Sequence, residues 1–362
     1  MIAHMFAGAS TPIGFVDLFD NILPVAEAKT RLFLKGASGS GKSTFMKKVA
    51  AQFEARGIST ERFHCANDAD SLDAIMIPSI GVSIMDATSP HSHDPEIAIA
   101  IDRILDFAVF IDDRKLEPYL DELKSLAANK KLLTKKVTSY LAAVGSMYDA
   151  ENNAFESALD KRSIKARVKK CLDHLYTDAQ SSSQERGRSR KLFLSALTPD
   201  GFVSFADKLF RECKVYGVSC DIGVGRNIFM EELKNLTISR GIDVTSFYNP
   251  ISPTQVESLY FPQMSVAITC VGGRFSYDGT IEEIIELNDC IYEEVLDSVG
   301  ILEQDCDVLN RLLDKSISAM YCARKLHART EEIYISTMNF DGLNKESEAI
   351  IQDLLMLCDT TN

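Results

Sequence analysis

Long apolar runs, a secretory leader, paired cysteines and excess positive charge are all missing from this chain, and each absence removes a class of protein. No stretch approaches the roughly 20 consecutive apolar residues that span a bilayer. The opening Met1-Ile2-Ala3-His4-Met5-Phe6 lacks the charged start and long apolar region of a signal peptide. The nine cysteines are scattered without a C-x-x-C pair, so they read as reduced, partly buried small apolar residues, not as a disulfide framework or a zinc site. A formal charge of −13 and a pI near 5.0 offer phosphate backbones no general attraction, which argues against a general nucleic-acid binder. Together these features predict a cytoplasmic protein with no membrane segment.

What is present starts with one octapeptide. Residues 36–43 read GASGSGKS and fit G-x-x-x-x-G-K-[ST], the pattern of a phosphate-cradling loop. Gly36 begins the turn, which runs on through Ala37 and Ser38. Gly39, Ser40 and Gly41 bring backbone N–H groups toward an anion. Lys42 reaches for the β- and γ-phosphates, Ser43 offers its hydroxyl to Mg²⁺, and Thr44 carries the chain into a helix. The apolar strand Arg31–Lys35 before the loop and the helix Thr44–Ala50 after it put a helix N-terminus against the phosphates. A glycine-rich turn that binds nothing is the bland alternative, and this strand–loop–helix setting speaks against it.

The chain also repeats itself. Phe6, Ala9, Thr11, Pro12, Gly14, Phe15 and Val16 recur in order as Phe193, Ala196, Thr198, Pro199, Gly201, Phe202 and Val203, at a spacing of 187. From the loop onward the spacing is 184: Gly39, Gly41, Phe45 and Met46 fall on Gly223, Gly225, Phe229 and Met230, and Pro78 and Val82 on Pro262 and Val266. The copies differ in their chemistry. Cys220, Arg226 and Asn227 stand where the first has Gly36, Lys42 and Ser43, and Cys270 stands where it has Asp86. Framework positions persist while phosphate- and metal-handling residues are lost together, so one working site per chain is expected. Arg226 retains the means to hold an anion as a fixed cation.

At 362 residues with 46% hydrophobic content, the chain suits two domains better than one core. Alternating strands and helices predict an α/β fold: duplicated P-loop NTPase-like units, each a parallel sheet with helices on both faces and a long helical hairpin. The first half is expected over 1–180 (core 1–95, hairpin 96–178) and the second over 191–362 (core 191–279, hairpin 280–358), with 181–190 as linker. Each half is read as a strand, a Thr-Pro step, a helix, and then the strand before the loop. The first hairpin is expected to bend at Asp149–Asn153 and the second at Asn339–Gly342. A lid, a dimer surface and a bracket between the halves are the readings open for these hairpins.

Asp86 ends the apolar run Val82–Met85, which in such a fold brings it beside Ser43 to hold a magnesium-bound water; capping the next turn is its other reading. No Glu follows it directly, which leaves slow hydrolysis, a base from elsewhere, or phosphoryl transfer to an acceptor. Asp68 and Asp70, just past a strand's carboxyl end, are candidates to orient water or an acceptor hydroxyl, against an ordinary turn and helix cap before Leu72. His91 is read as facing the site, and a metal reading of His91 with His93 is set against plain loop polarity. Thr198 is either a γ-phosphate sensor or part of a Thr-Pro turn. The basic run Lys161, Arg162, Lys165, Arg167, Lys169 and Lys170 either leans a cation over the nucleotide or forms a solvated helix face.

The segments GASGSGKSTFMKK, HCANDADSLD and IPSIGVSIMDATSPH, with the recurring T-P-x-G-F-V strand, resemble a family of duplicated P-loop ATPases found mainly in clostridia-like and bacillus-like bacteria. The resemblance covers nearly the whole chain and implies an ATP-binding cytosolic protein. The chain departs from the pattern at Cys220, Arg226 and Asn227. Three functions follow as expectations: a Mg²⁺-dependent ATPase whose hairpins change shape with nucleotide state, a small-molecule or nucleotide kinase, or a nucleotide-binding scaffold without turnover. No N-K-x-D guanine motif is present, which favours ATP. A small-molecule acceptor, or a protein bound through the hairpins, is the expected partner.

Overall fold

The computed structural model describes residues 2–177, 186–220, 223–272, 277–295 and 303–359. The sheet of the first half holds β1 (Ile2–Met5), β4 (Thr30–Lys35), β5 (Thr60–Cys65), β6 (Asp68–Ile77), β7 (Val82–Asp86) and β8 (Asp102–Asp106), in the order β1-β5-β6-β7-β4-β8. The second holds β9 (Ser189–Leu192), β12 (Lys214–Ser219), β13 (Val244–Tyr248), β14 (Val256–Phe261), β15 (Val266–Val271) and β16 (Glu283–Glu286), in the order β9-β13-β14-β15-β12-β16. The two orders match strand for strand. Consecutive burial of Leu32–Leu34 and of Val82–Met85 is what strands covered on both faces require.

The sheets are mixed, not parallel throughout. β6 runs antiparallel to β5 and β7, and β14 does the same between β13 and β15. Only Ala66 and Asn67 separate β5 from β6, a hairpin link far too short for the crossover that parallel strands need. The segment expected to turn and cap a helix before Leu72 is therefore the start of a strand. Pro78–Ile80 then forms a single tight turn, closed by Gly81 at φ 61°.

The Thr-Pro steps lead into hairpins instead of helices. β2 (Gly8–Thr11) pairs with β3 (Gly14–Asp17), and β10 (Ser195–Thr198) pairs with β11 (Gly201–Ser204). Thr11 Oγ1 donates to Gly14 O at 2.7 Å and Thr198 Oγ1 to Gly201 O at 2.8 Å. Only short helical turns follow, Phe19–Asn21 and α4 (Ala206–Leu209). Each core also extends beyond its expected end, because β8 and β16 add an edge strand beside β4 and β12. Of the expected linker, 181–185 lies outside the described residues, and β9 begins at Ser189.

The loop helices are α1 (Lys42–Glu54) and α5 (Gly223–Ser239). The hairpins are α2 (Leu120–Glu156) with α3 (Lys161–Thr177), and α6 (Glu303–Ile335) with α7 (Phe340–Asp359). The expected bend at Asp149–Asn153 is helix. Its polar residues are compatible with a helix that still buries Phe155 one turn on, and the bend comes after Glu156. There Asp160 accepts from Ser163 N and Oγ, as Asn339 accepts from Gly342 N at the other bend.

Each hairpin serves the opposite half. Ile164, Val168 and Leu172 of α3 join the core that holds Phe229, Met230 and Leu233 of α5. Leu343, Ile351, Leu354 and Leu355 of α7 join Phe45, Met46, Val49 and Phe53 of α1. Glu122 near the start of α2 meets Arg329 near the end of α6, so these long helices pair antiparallel across the molecule. Backbone bridges mark the same exchange: Phe6 with Phe193, Ile111 with Met338, and Leu159 with Ile291. Among the described residues no helix is long and apolar enough to cross a membrane.

Candidate functional site around the Gly36–Ser43 loop

The loop leaves the buried strand β4 and enters α1 through three glycines in left-handed backbone, Gly36 at φ 142°, Gly39 at φ 76° and Gly41 at φ 90°. L side chains rarely adopt such angles. Lys42, 8% exposed, turns back on the loop. Its Nζ donates to Gly36 O at 2.9 Å and Ala37 O at 3.0 Å, and lies 3.6 Å from Asp86 Oδ2. Ser40 is buried at 1% exposure, and its hydroxyl has no hydrogen-bond partner among the described residues. Ser38 is half-buried and Thr44 exposed at the start of α1.

β7 lies directly beside β4, and that adjacency is what brings Asp86 to Lys42. The other carboxylate oxygen, Oδ1, accepts from Thr88 N at 2.9 Å and Thr88 Oγ1 at 2.6 Å. Ser43 Oγ accepts from Leu72 N of β6 at 3.0 Å; a hydroxyl keeps a second lone pair and a proton after that bond.

Asp73 follows on β6, buried, and the sequence reading did not single it out. Burial, reinforced by the charge of Asp86, pushes its carboxyl up to about 7. Its Oδ2 is 3.7 Å from His91 Nε2. The His91 ring is buried and stacked on Phe19 at 4.7 Å, and burial holds it below the usual imidazole value against the pull of Asp86. The structure thus places His91 between Asp73 and Phe19. His93 instead pairs with Asp17 at 3.2 Å. Among the described residues no group of three or more His, Cys, Asp or Glu side chains is arranged to hold a metal ion.

The other candidates divide. Asp68 Oδ2 accepts from Ser71 Oγ at 2.6 Å at the tip of the β5–β6 hairpin, and its charge reaches Glu331 and His327 of α6. Asp70 is exposed and serves the same turn through its backbone N–H. Thr198 is fully buried and spends its hydroxyl on the hairpin turn, the structural alternative to a phosphate sensor. The basic run of α3 lies over the second half, where Lys165 pairs with Glu232 and Arg167 with Asp289, so no cation of that run leans over Gly36–Ser43.

The roof of this loop comes from the second half. A Cβ on Gly39 would lie 2.9 Å from Glu331 O and 3.0 Å from Ile335 Cγ1, and one on Gly41 would lie 2.9 Å from Leu343 Cδ2. Beside this contact Lys130 of α2 reaches His327 of α6, Nζ to Nδ1 at 2.9 Å. Burial lowers both, His327 to about 4, and the Lys130 charge adds to that shift. No local signal marks Lys130, His327 or Glu331, because long-range packing assembles them. For Asp73 a signal existed: the repeat sets it against another acid, Glu257.

The second copy keeps the frame without the cradle. Arg226 Nη1 donates to Cys220 O, and Asn227 Oδ1 accepts from Val256 N at 3.0 Å, repeating the bonds of Lys42 and Ser43. However, α5 begins at Gly223, three residues before the counterpart of Lys42. Gly225 therefore has no left-handed backbone, and Gly223–Gly225, the counterparts of Gly39–Gly41, are here helix. No protein-family model, curated protein or solved structure matches the chain.

Proposed function

We propose that the chain is a Mg²⁺-dependent, ATP-binding P-loop NTPase with one working site at Gly36–Ser43 and a second half kept for shape. Membership of the duplicated ATP-binding family that the sequence resembles is part of the same proposal, and so is a cytoplasmic location. Lys42 carries the reading. It is a buried cation satisfied by its own loop's carbonyls, with Asp86 on the next strand, and exchange of those carbonyls for phosphate oxygens would strengthen its bonds.

The residues fit the ligand and its ion. The orphaned Ser40 hydroxyl offers a ready donor, the loop amides a concave anion site, and Ser43 and Asp86 the oxygens that would hold magnesium, Asp86 through water. Magnesium, when bound, would neutralise charge on the β- and γ-oxygens. Asp73, whose carboxyl burial pushes up to about 7, supplies a group able to take a proton from water or a hydroxyl. Contact of Glu331 and Leu343 with the loop glycines supports transmission of loop movement into the α6–α7 hairpin.

A second reading, phosphoryl transfer to a small acceptor, is supported by the absence of a Glu directly after Asp86, where Ala87 stands. Calorimetric titration of Mg-ATP into wild type and Lys42→Ala tests the proposal: one ATP per wild-type chain, and little for the variant. Absence of binding by the wild type overturns it. Phosphate release without acceptor, release only with acceptor, and binding without turnover separate hydrolase, kinase and scaffold.

A further inference from the structure

The duplication supplies an internal control for the two roofs. Glu331 stands over Gly39 as Asn152 stands over Gly223. The same register along the hairpins sets His327 against Tyr148 and Lys130 against Leu309. Over the second copy the three positions are thus Asn152, Tyr148 and Leu309, the last buried among apolar residues of α2 and α6. Over Gly36–Ser43 they are Glu331, His327 and Lys130. The second roof is thus an amide, a phenol and a leucine, and among the described residues the acid, imidazole and ammonium stand together over Gly36–Ser43 alone.

Its geometry is that of a cation held in reserve. Lys130 donates to His327 Nδ1 at 2.9 Å, which leaves the imidazole proton on Nε2, 3.7 Å from Glu331 Oε1. Lys130 makes no ion pair among the described residues; Glu331 acts on it only at longer range. A half-buried ammonium gains more from an anion than from a neutral imidazole. The charge of Lys42 reaches His327 and Glu331, so the loop and the cluster share one electrostatic environment.

We propose that Lys130 is a second phosphate-directed cation of this site, carried by α2 to the terminal phosphate of a bound nucleoside triphosphate. On binding, it exchanges His327 for that phosphate, so occupancy is read by the α2–α6 pair. The inference rests on the nucleotide reading of Gly36–Ser43.

Titrations of Mg-ATP and Mg-ADP into wild type, Lys130→Met, Lys130→Gln and Lys130→Arg test it, with thermal midpoints as a check on folding. The Met and Gln variants should lose about tenfold or more in ATP affinity, as expected for one charge-assisted phosphate contact, with ADP affinity unchanged, and Arg should restore much of the ATP preference. Unchanged ATP affinity in the folded Met or Gln variant, or equal loss for ATP and ADP, overturns the role of Lys130 and leaves the nucleotide site standing. Wild-type protein that binds neither nucleotide overturns the site itself and this inference with it.

Discussion

Lys42 and Arg226 stand at equivalent points of the two halves and make the same bond, each donating from its side chain to the carbonyl oxygen six residues upstream, Gly36 in one case and Cys220 in the other. In the first half that bond closes a loop of left-handed glycines. In the second it lies against the first turn of a helix. A shared clasp thus survives where the cradle does not, which separates the structural use of the cation from its proposed use on phosphate.

Lys42→Ala removes both the clasp and the proposed phosphate partner. ATP affinity should fall by roughly a hundredfold, since charge-assisted bonds of about 1.5–3 kcal/mol are lost. Direct titration measures this, and equal affinity in variant and wild type would reject the site.

Asp86→Asn keeps an oxygen for Thr88 N and Oγ1, so the β7 terminus should hold its shape. Binding should largely survive while magnesium-dependent phosphate release drops at least about tenfold, because a neutral amide holds the metal's water less well. Unchanged release would assign the metal to another acid.

The second copy invites a paired test. Arg226→Ala should leave stoichiometry at one nucleotide per chain. Gly225→Val should destabilise the fold by about 1–3 kcal/mol through overpacking: even a Cβ there would lie 2.8 Å from Cys220 Sγ and 3.3 Å from Leu159 Cδ2. The cause is crowding and not backbone strain, since Gly225 is helical. Two nucleotides per wild-type chain, one lost with Arg226→Ala, would show a second working site.

Local pattern made some of this legible. The octapeptide marked the loop, the run Val82–Met85 marked the strand that delivers Asp86, and the repeat marked the duplicated sheets. β6 was obscured because Asn67, Asp68 and Asp70 are as common in turns and caps as in hairpin tips. Asp149–Asn153 misled for a related reason: turn-favouring residues sat within a helix whose packing overrides their preference. The exchange of hairpins, and with it Lys130, His327 and Glu331, had no local expression at all, since the apolar faces of α3 and α7 would read the same against either half.

Glu257, the counterpart of Asp73, provides a pH test. Burial pushes its carboxyl up to about 8 from the usual 4.5. A folded value above the unfolded one means that the contribution is intact at acid pH and is lost as pH rises through about 8. Glu257→Gln cannot ionise, so its stability relative to wild type should grow from about pH 5 to pH 9. Denaturant melts at both values measure this, and a pH-independent difference would place Glu257 in contact with water.

The exchanged hairpins give the most stringent test of the architecture. Each large side chain buried between α1 and α7, or between α3 and α5, contributes about 1.5–3 kcal/mol, and every such pair joins opposite halves. Residues 1–177 alone would leave Phe45, Val49 and Phe53 on one side, and Ile164, Val168 and Leu172 on another, without part of their cover. Produced separately, 1–177 and 186–362 should each aggregate or lack cooperative unfolding. Produced together, they should co-purify as one copy of each, held by the α2–α6 pair and the Phe6–Phe193 bridge, and the pair should bind one ATP. Size exclusion and thermal melts read the result. A soluble, cooperatively folding 1–177 monomer would show that the first half closes its own core and that the exchange is not what holds it.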